Sequence, residues 1–261
     1  MPHLSANLGF LWPDRPLPKR IEAAARAGFG AVEFHWPYDF EATSIARQCR
    51  DAGLAVLSVN APAGERDKGE FGFAALAECD DRYRDSLHRA LDYCAALGGR
   101  SVHVLAGFLS PTRRAEARPR VIANLAYATE QAARRNLSIL IEAINRRDAP
   151  DYFYDDVDDA AAIVDEVQAD NLRLMFDAYH VGISGGDVFA SLERHWPRIG
   201  HVQIAAIPTR HEPDEGVFDY KPFFQRLDAL HYSGWVGCEY LPRGDTDSGL
   251  KWVALLNRDA P

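Results

Sequence analysis

Leu137-Ser-Ile-Leu-Ile-Glu142-Ala-Ile144, the helical run Asp158–Val167 and Leu172-Arg-Leu-Met-Phe-Asp177-Ala178 form a strand, a helix and a second strand in succession. Ser138–Ile141 carries no polar face, and neither does Val102–Leu105 further up the chain. Strands that are apolar on both sides belong to a parallel sheet covered on both faces. Working outward, the same alternation recurs. Upstream, strands are expected at Leu4–Leu11, Ala31–Trp36, Leu54–Asn60 and Ser101–Ala106. Helices are expected at Pro18–Ala27, Glu41–Ala52, Arg82–Leu97 and Ala115–Arg135, with Gly28, Gly53 and Gly98-Gly99 placed to end the first three. Downstream come a helix at Val188–His195, a strand at Ile199–Ala206, a helix at Tyr220–Leu230, a strand at Trp235–Tyr240 and a helix at Ser248–Leu256. Eight such units in 261 residues predict one (β/α)₈ TIM-barrel domain over residues 1–261. A doubly wound open sheet is the alternative. It is weakened by the lack of GxGxxG after the first strand, which also argues against a nucleotide cofactor.

The balance of charge narrows the partners. The net charge is −9, and the arginines of Pro111–Arg120 are mixed with Glu116 and small residues, so no basic patch for nucleic acid is expected. Cys49, Cys79, Cys94 and Cys238 show no CxxC spacing, which argues against a thiolate zinc site and for a reducing compartment. No stretch approaches ~18 apolar residues and no secretory leader is visible. The expectation is a cytoplasmic chain without membrane contact. Association of like chains stays open, since nothing in the sequence locates an interface.

In a βα barrel, chemistry sits at the C-terminal ends of the strands. Those ends here carry Glu142, Asp177, Gln203 and Glu239, each a late interruption of an apolar run. Taken singly, each is equally a solvated rim residue or a salt-bridge partner. Taken together, they place three carboxylates and an amide near one point, which is unfavourable unless a cation neutralises them. An all-oxygen set suits Mg²⁺ or Mn²⁺. Such an ion would stabilise the enediolate of an α-hydroxy-carbonyl compound while carboxylates relay the proton between neighbouring carbons. His180, three residues after Asp177, either orients substrate or is a loop histidine. His201 shares a strand face with Gln203 and either reaches the site or fills the lower barrel. Arg210 is the candidate for a substrate carboxylate, against a plain reading as a surface arginine. The loop Ala63–Glu78, with Arg66 and Lys68, has the length of a lid. Phe10, Trp12, Phe34 and Trp36 either wall a pocket or simply pack.

Ser5-Ala-Asn-Leu8, Gly30-Ala-Val-Glu-Phe34, Asn60-Ala-Pro-Ala-Gly-Glu65, Leu140–Asn145, Asp177-Ala-Tyr-His180, Ile199–Ala205, Arg210-His-Glu-Pro213 and Gly234–Tyr240 carry a resemblance. Nearly end to end, the chain resembles the hydroxypyruvate isomerase and 2-oxo-tetronate isomerase family of the xylose-isomerase-like barrels. The resemblance implies Glu142 and Glu239 as the acid/base pair, and Glu142, Asp177, Gln203 and Glu239 as metal ligands. It also implies His180 and Arg210 as substrate-orienting residues; His201 is a substrate-binding candidate on its strand face alone. The chain departs from the family pattern at Ala143, where Pro is common, and at Ala206, where Asp is common. The expected activity is isomerisation of hydroxypyruvate or a related 2-keto acid. A keto-sugar epimerase using the same site is the alternative. A multi-zinc endonuclease would need more histidines and a basic groove, and a non-catalytic barrel would have lost a glutamate.

Overall fold

The computed structural model describes residues 3–256. Its core is a closed barrel of eight parallel strands, hydrogen-bonded in chain order with the last pairing the first. The strands are β1 His3–Asn7, β2 Ala31–Phe34, β3 Ala55–Asn60, β4 Ser101–His103, β5 Ser138–Glu142, β6 Leu172–Asp177, β7 Ile199–Ile204 and β8 Trp235–Cys238. Between them run α1 Leu17–Arg26, α2 Ala42–Asp51, α3 Asp80–Leu97, α4 Arg114–Ala133 and α5 Val157–Val167. After β6 come α6 Ala178–Ile183 and α7 Val188–His195, then α8 Tyr220–Ala229, α9 Thr246–Gly249 and α10 Lys251–Leu256. The barrel is the expected one, and the open sheet is excluded by the β1–β8 register Ser5↔Gly237 and Ala6↔Cys238.

Local chemistry explains the element ends. Asp156, Asp187 and Asp219 cap α5, α7 and α8 by accepting first-turn backbone N–H groups. Gly98 closes α3 in the left-handed region at φ 71°, which costs a glycine nothing. Several strands are shorter than their apolar runs. β1 stops at Asn7 because its carbonyl accepts from Leu11 N at 3.0 Å and its Oδ1 from Gly9 N at 2.9 Å, which turns the chain. β7 stops at Ile204, and Ala206 then closes a tight turn with Arg210 and His211. The helix α6 was not anticipated. Asp177 creates it by capping Tyr179 N at 2.9 Å, so His180 is helical rather than in a loop. The expected last helix is broken, with α9 ending at Gly249.

The space between sheet and helices is apolar, filled by residues such as Ile139, Leu125, Val121 and Leu87 at 0 % exposure. The inside of the barrel is different. Glu33 on β2 is touched by Ser5 on β1 and by both His201 and Gln203 on β7. β2 and β7 are not neighbours in the sheet, so these contacts cross the barrel interior. The four cysteines are free, and Cys49, Cys94 and Cys238 are buried, as core residues are. No helix among the described residues is long and apolar enough to cross a membrane.

Gly237 on β8 leaves room for the interior group. A Cβ there would stand 2.5 Å from Glu33 Oε1 and 2.8 Å from Gln203 Cγ. Gly237→Ala should therefore cost about 1–3 kcal/mol of stability through overpacking. Urea titration checks this, and an unchanged midpoint would contradict it.

Candidate active site

Glu142 and Asp177 are the last residues of β5 and β6, Gln203 is the penultimate residue of β7, and Glu239 directly follows β8. All four are buried, at 2–6 % exposure. A cavity of about 390 Å³ opens above them, lined by Glu142, Glu239, His180 and Arg210 on its polar side. Phe10, Trp36, Phe71, Leu105 and Phe108 form an apolar wall. Trp12 and Phe34 do not join that wall: both are core, and Trp12 ties the first loop to Thr246 and Asp247. The loop after β3 contributes Phe71. It is fastened rather than free, by a bridge from Gly72 to Ala106 and a paired contact from Arg82 to Glu70 at 2.6 Å.

The charges in the site are of two kinds. Glu33 is deeply buried, but His201, Ser5 and Gln203 outweigh the cost of burial and hold its carboxyl below the ordinary range. For His201, burial disfavours the charged ring, yet Glu33 at 3.1 Å overcomes this and shifts it up. His201 therefore serves the barrel interior and is not among the residues lining the cavity. For Glu142 and Asp177, Arg210 and, for Asp177, the Tyr179 N–H do not outweigh burial. Burial first, then Glu239 and, for Glu142, Asp177 push Glu142 well up. Burial and Glu239 push Asp177 up to about 7.

One atom of each of the four residues has no hydrogen-bond partner among the described residues: Glu142 Oε1, Asp177 Oδ2, Gln203 Oε1 and Glu239 Oε2. The Gln203 orientation is forced, because Glu33 Oε2 only accepts and so must receive the amide N–H at 2.9 Å, leaving the oxygen free. Four buried, unpartnered oxygens fit a hard divalent cation. Glu142, Asp177 and His180 also offer atoms within 4.8 Å of one another, a trio that includes His180 and not Glu239.

Arg210 is placed by strain and stacking. It adopts φ 62°, lies 4.9 Å from the Phe10 ring and 5.0 Å from the Tyr179 ring, and pairs with Asp148 at 3.1 Å. Burial opposes its charge, but Glu239, Asp177, Glu142 and Asp148 outweigh it. Ala206, the position where the resemblance commonly has Asp, is fully buried and does not line the cavity.

Four contributors were not singled out in the sequence. His35 Nε2 holds Glu239 Oε1 at 2.8 Å. Gly9 makes room for it, since a Cβ there would fall 2.2 Å from the ring. His103 stands 3.8 Å from Glu142 and burial pushes it down to about 3, so it stays neutral. Glu33 and Asp148 act on Gln203 and Arg210 as described. The sequence signal of Glu33, His35 and His103 was a polar residue inside or just after an apolar run; Asp148 had none.

Residues 21–256 match the xylose isomerase-like TIM barrel family. This chain belongs to it. The family member named 2-oxo-tetronate isomerase from Cupriavidus necator is 42 % identical over 97 % of this chain and 98 % of its own. The hydroxypyruvate isomerase of Escherichia coli is 33 % identical over 97 % of this chain and 98 % of its own. A solved structure described as AP endonuclease, family 2, from Brucella melitensis is 39 % identical, covers 98 % of this chain and 99 % of its own, and superposes with a TM-score of 0.95. With its full-length relatives, this xylose isomerase-like barrel is an isomerase.

The raised Asp177 has a sign that can be tested. The unfolded chain releases this proton near the ordinary carboxylate value, about 3.9. The folded chain keeps it until about 7. Between those values the folded state binds the extra proton, so its stability falls as pH rises. In chelator, Asp177→Asn should be more stable than the parent protein at pH 8, with the gap closing toward pH 4. Urea midpoints across that range decide, and a gap that stays constant or reverses rejects the shift.

Proposed function

We propose that this barrel interconverts a small 2-keto acid carrying a neighbouring hydroxyl with the isomer in which carbonyl and hydroxyl have exchanged carbons. Hydroxypyruvate and a four-carbon 2-oxo-tetronate are the substrates that its relatives' names suggest. The observation that carries the reading is the shared cavity: Glu142 and Glu239 line it together with a charged, half-buried arginine.

Arg210 binds the substrate carboxylate, its guanidinium fixed by Asp148 and two aromatic faces. Glu239 has one oxygen tied to His35 and the other without a partner. Glu239 takes the proton from the carbinol carbon. Glu142, kept protonated by burial and by its acidic neighbours, returns a proton to the adjacent carbon. The apolar wall of Phe71, Leu105 and Phe108 keeps water from the enediolate. A Mg²⁺ or Mn²⁺ ion held by Glu142, Asp177, Gln203 and Glu239 would supply positive charge for the developing oxyanion. Nucleic acid is a poor fit, because the chain carries a net charge of −9 and the cavity mouth adds Asp148.

The test is turnover in D₂O followed by NMR, with Mg²⁺ or Mn²⁺ present. The parent protein should place solvent deuterium at the new C–H centre of the product. Glu142→Gln and Glu239→Gln should each lose about 10²–10⁴-fold in kcat. Arg210→Ala should raise KM for acids; a protein that prefers uncharged keto-sugars and ignores Arg210→Ala would instead be the epimerase. A folded protein that turns over no keto acid, or variants that keep full activity, would reject the proposal.

A further inference from the structure

Asn145 and His180 are buried together beside the cavity, at 1 % and 3 % exposure. An amide can be flipped and an imidazole has two neutral tautomers, so their polarity must be argued from their neighbours. Asn145 Oδ1 receives the Asp148 backbone N–H at 2.9 Å, and a peptide N–H can only donate. Asn145 Nδ2 lies 3.3 Å from Asp148 Oδ2, and a carboxylate can only accept. Flipping the amide would set donor against donor and acceptor against acceptor. The NH₂ group therefore faces His180 Nδ1, 2.6 Å away. The backbone N–H of Asn145 points at the same nitrogen, at 3.4 Å. With two donors aimed at it, Nδ1 must present its lone pair, and in the neutral ring the proton sits on Nε2.

Nε2 lies 3.7 Å from Glu142 Oε1 and 3.7 Å from Asp177 Oδ2. A metal ligand needs a lone pair, and Nε2–H has none. The spacing of Glu142, Asp177 and His180 would suit a cation, but the hydrogen bonds at Nδ1 do not. Arg210 Nη2 stands 3.5 Å from the same Nε2. Two N–H donors facing each other at that distance leave a place where one oxygen can accept from both. We propose that Asn145 is a positioning residue that locks His180, the substrate-orienting residue that the resemblance implies, as the Nε2–H tautomer, so that toward the cavity it can only donate to an oxygen shared with Arg210 and cannot ligate a metal. The identity of that oxygen rests on the keto-acid reading above; the tautomer does not.

The test is a two-bond ¹H–¹⁵N spectrum of the histidine rings in the whole, metal-free protein at pH 7.5, with His180 identified by its absence in His180→Gln. The expected result is a protonated Nε2 and a bare Nδ1, unchanged when Mg²⁺ is added. Asn145→Asp sets an acceptor against Nδ1. It should move the proton to Nδ1 and lower kcat about 10²–10³-fold, with a smaller change in KM. A proton on Nδ1 in the parent protein, or loss of the Nε2 proton on adding Mg²⁺, overturns the proposal. A moved proton with kcat unchanged overturns the donor role. Should Asn145→Asp fail to fold, the parent spectrum decides alone. The Nε2–H tautomer in a protein that turns over no keto acid would uphold the lock and reject the keto-acid reading.

Discussion

The structure is organised around the cost of burying carboxylates inside a barrel. Glu33, Glu142 and Asp177 are all almost inaccessible, at 1–4 % exposure, and a charge there is unfavourable unless something answers it. The fold outweighs that cost for only one of them. Glu33 receives Ser5, Gln203 and His201 and stays ionised. Glu142 and Asp177 each keep an unpartnered oxygen, and both hold their protons to higher pH. The satisfied carboxylate is structural, and the two unsatisfied ones stand where chemistry needs proton transfer and, in this account, a cation.

The surrounding residues make that asymmetry specific. Glu33 sets the direction of the Gln203 amide and so places an oxygen, not an N–H, at the free end. His35 occupies one oxygen of Glu239 and leaves the other. Asp148 reaches two elements of the site, pairing with Arg210 and fixing the Asn145 amide. Each acts through a hydrogen bond that removes an alternative orientation, which is how a rigid scaffold presents a reactive group at a defined place.

The barrel was legible in the sequence because its signals are local: apolar runs of strand length, helical periodicity and glycines at helix ends. The strand-end positions of Glu142, Asp177 and Glu239 were legible for the same reason, since each follows an apolar run directly. The interior group was not. Gln203 and Glu33 are 170 residues apart and lie on non-adjacent strands, so no local pattern pairs them. His103 and His201 look alike in sequence, each a histidine within an apolar strand. Burial lowers both, but Glu33 beside His201, helped by Glu239 and Asp177, makes that one rise while His103 falls in pKa. Arg210 owes its place to a left-handed residue after a tight turn and to the faces of Phe10 and Tyr179, none of which has a sequence period. The helix α6 was missed because a six-residue element is too short to show one.

Calorimetric titration of Mg²⁺ or Mn²⁺ into chelator-treated protein at pH 6.5, repeated in buffers of different ionisation enthalpy, tests the central claim most directly. If this cluster awaits a cation, one ion binds per chain and binding expels the Asp177 proton into the buffer. Absence of binding, or binding with no proton release, would contradict the account.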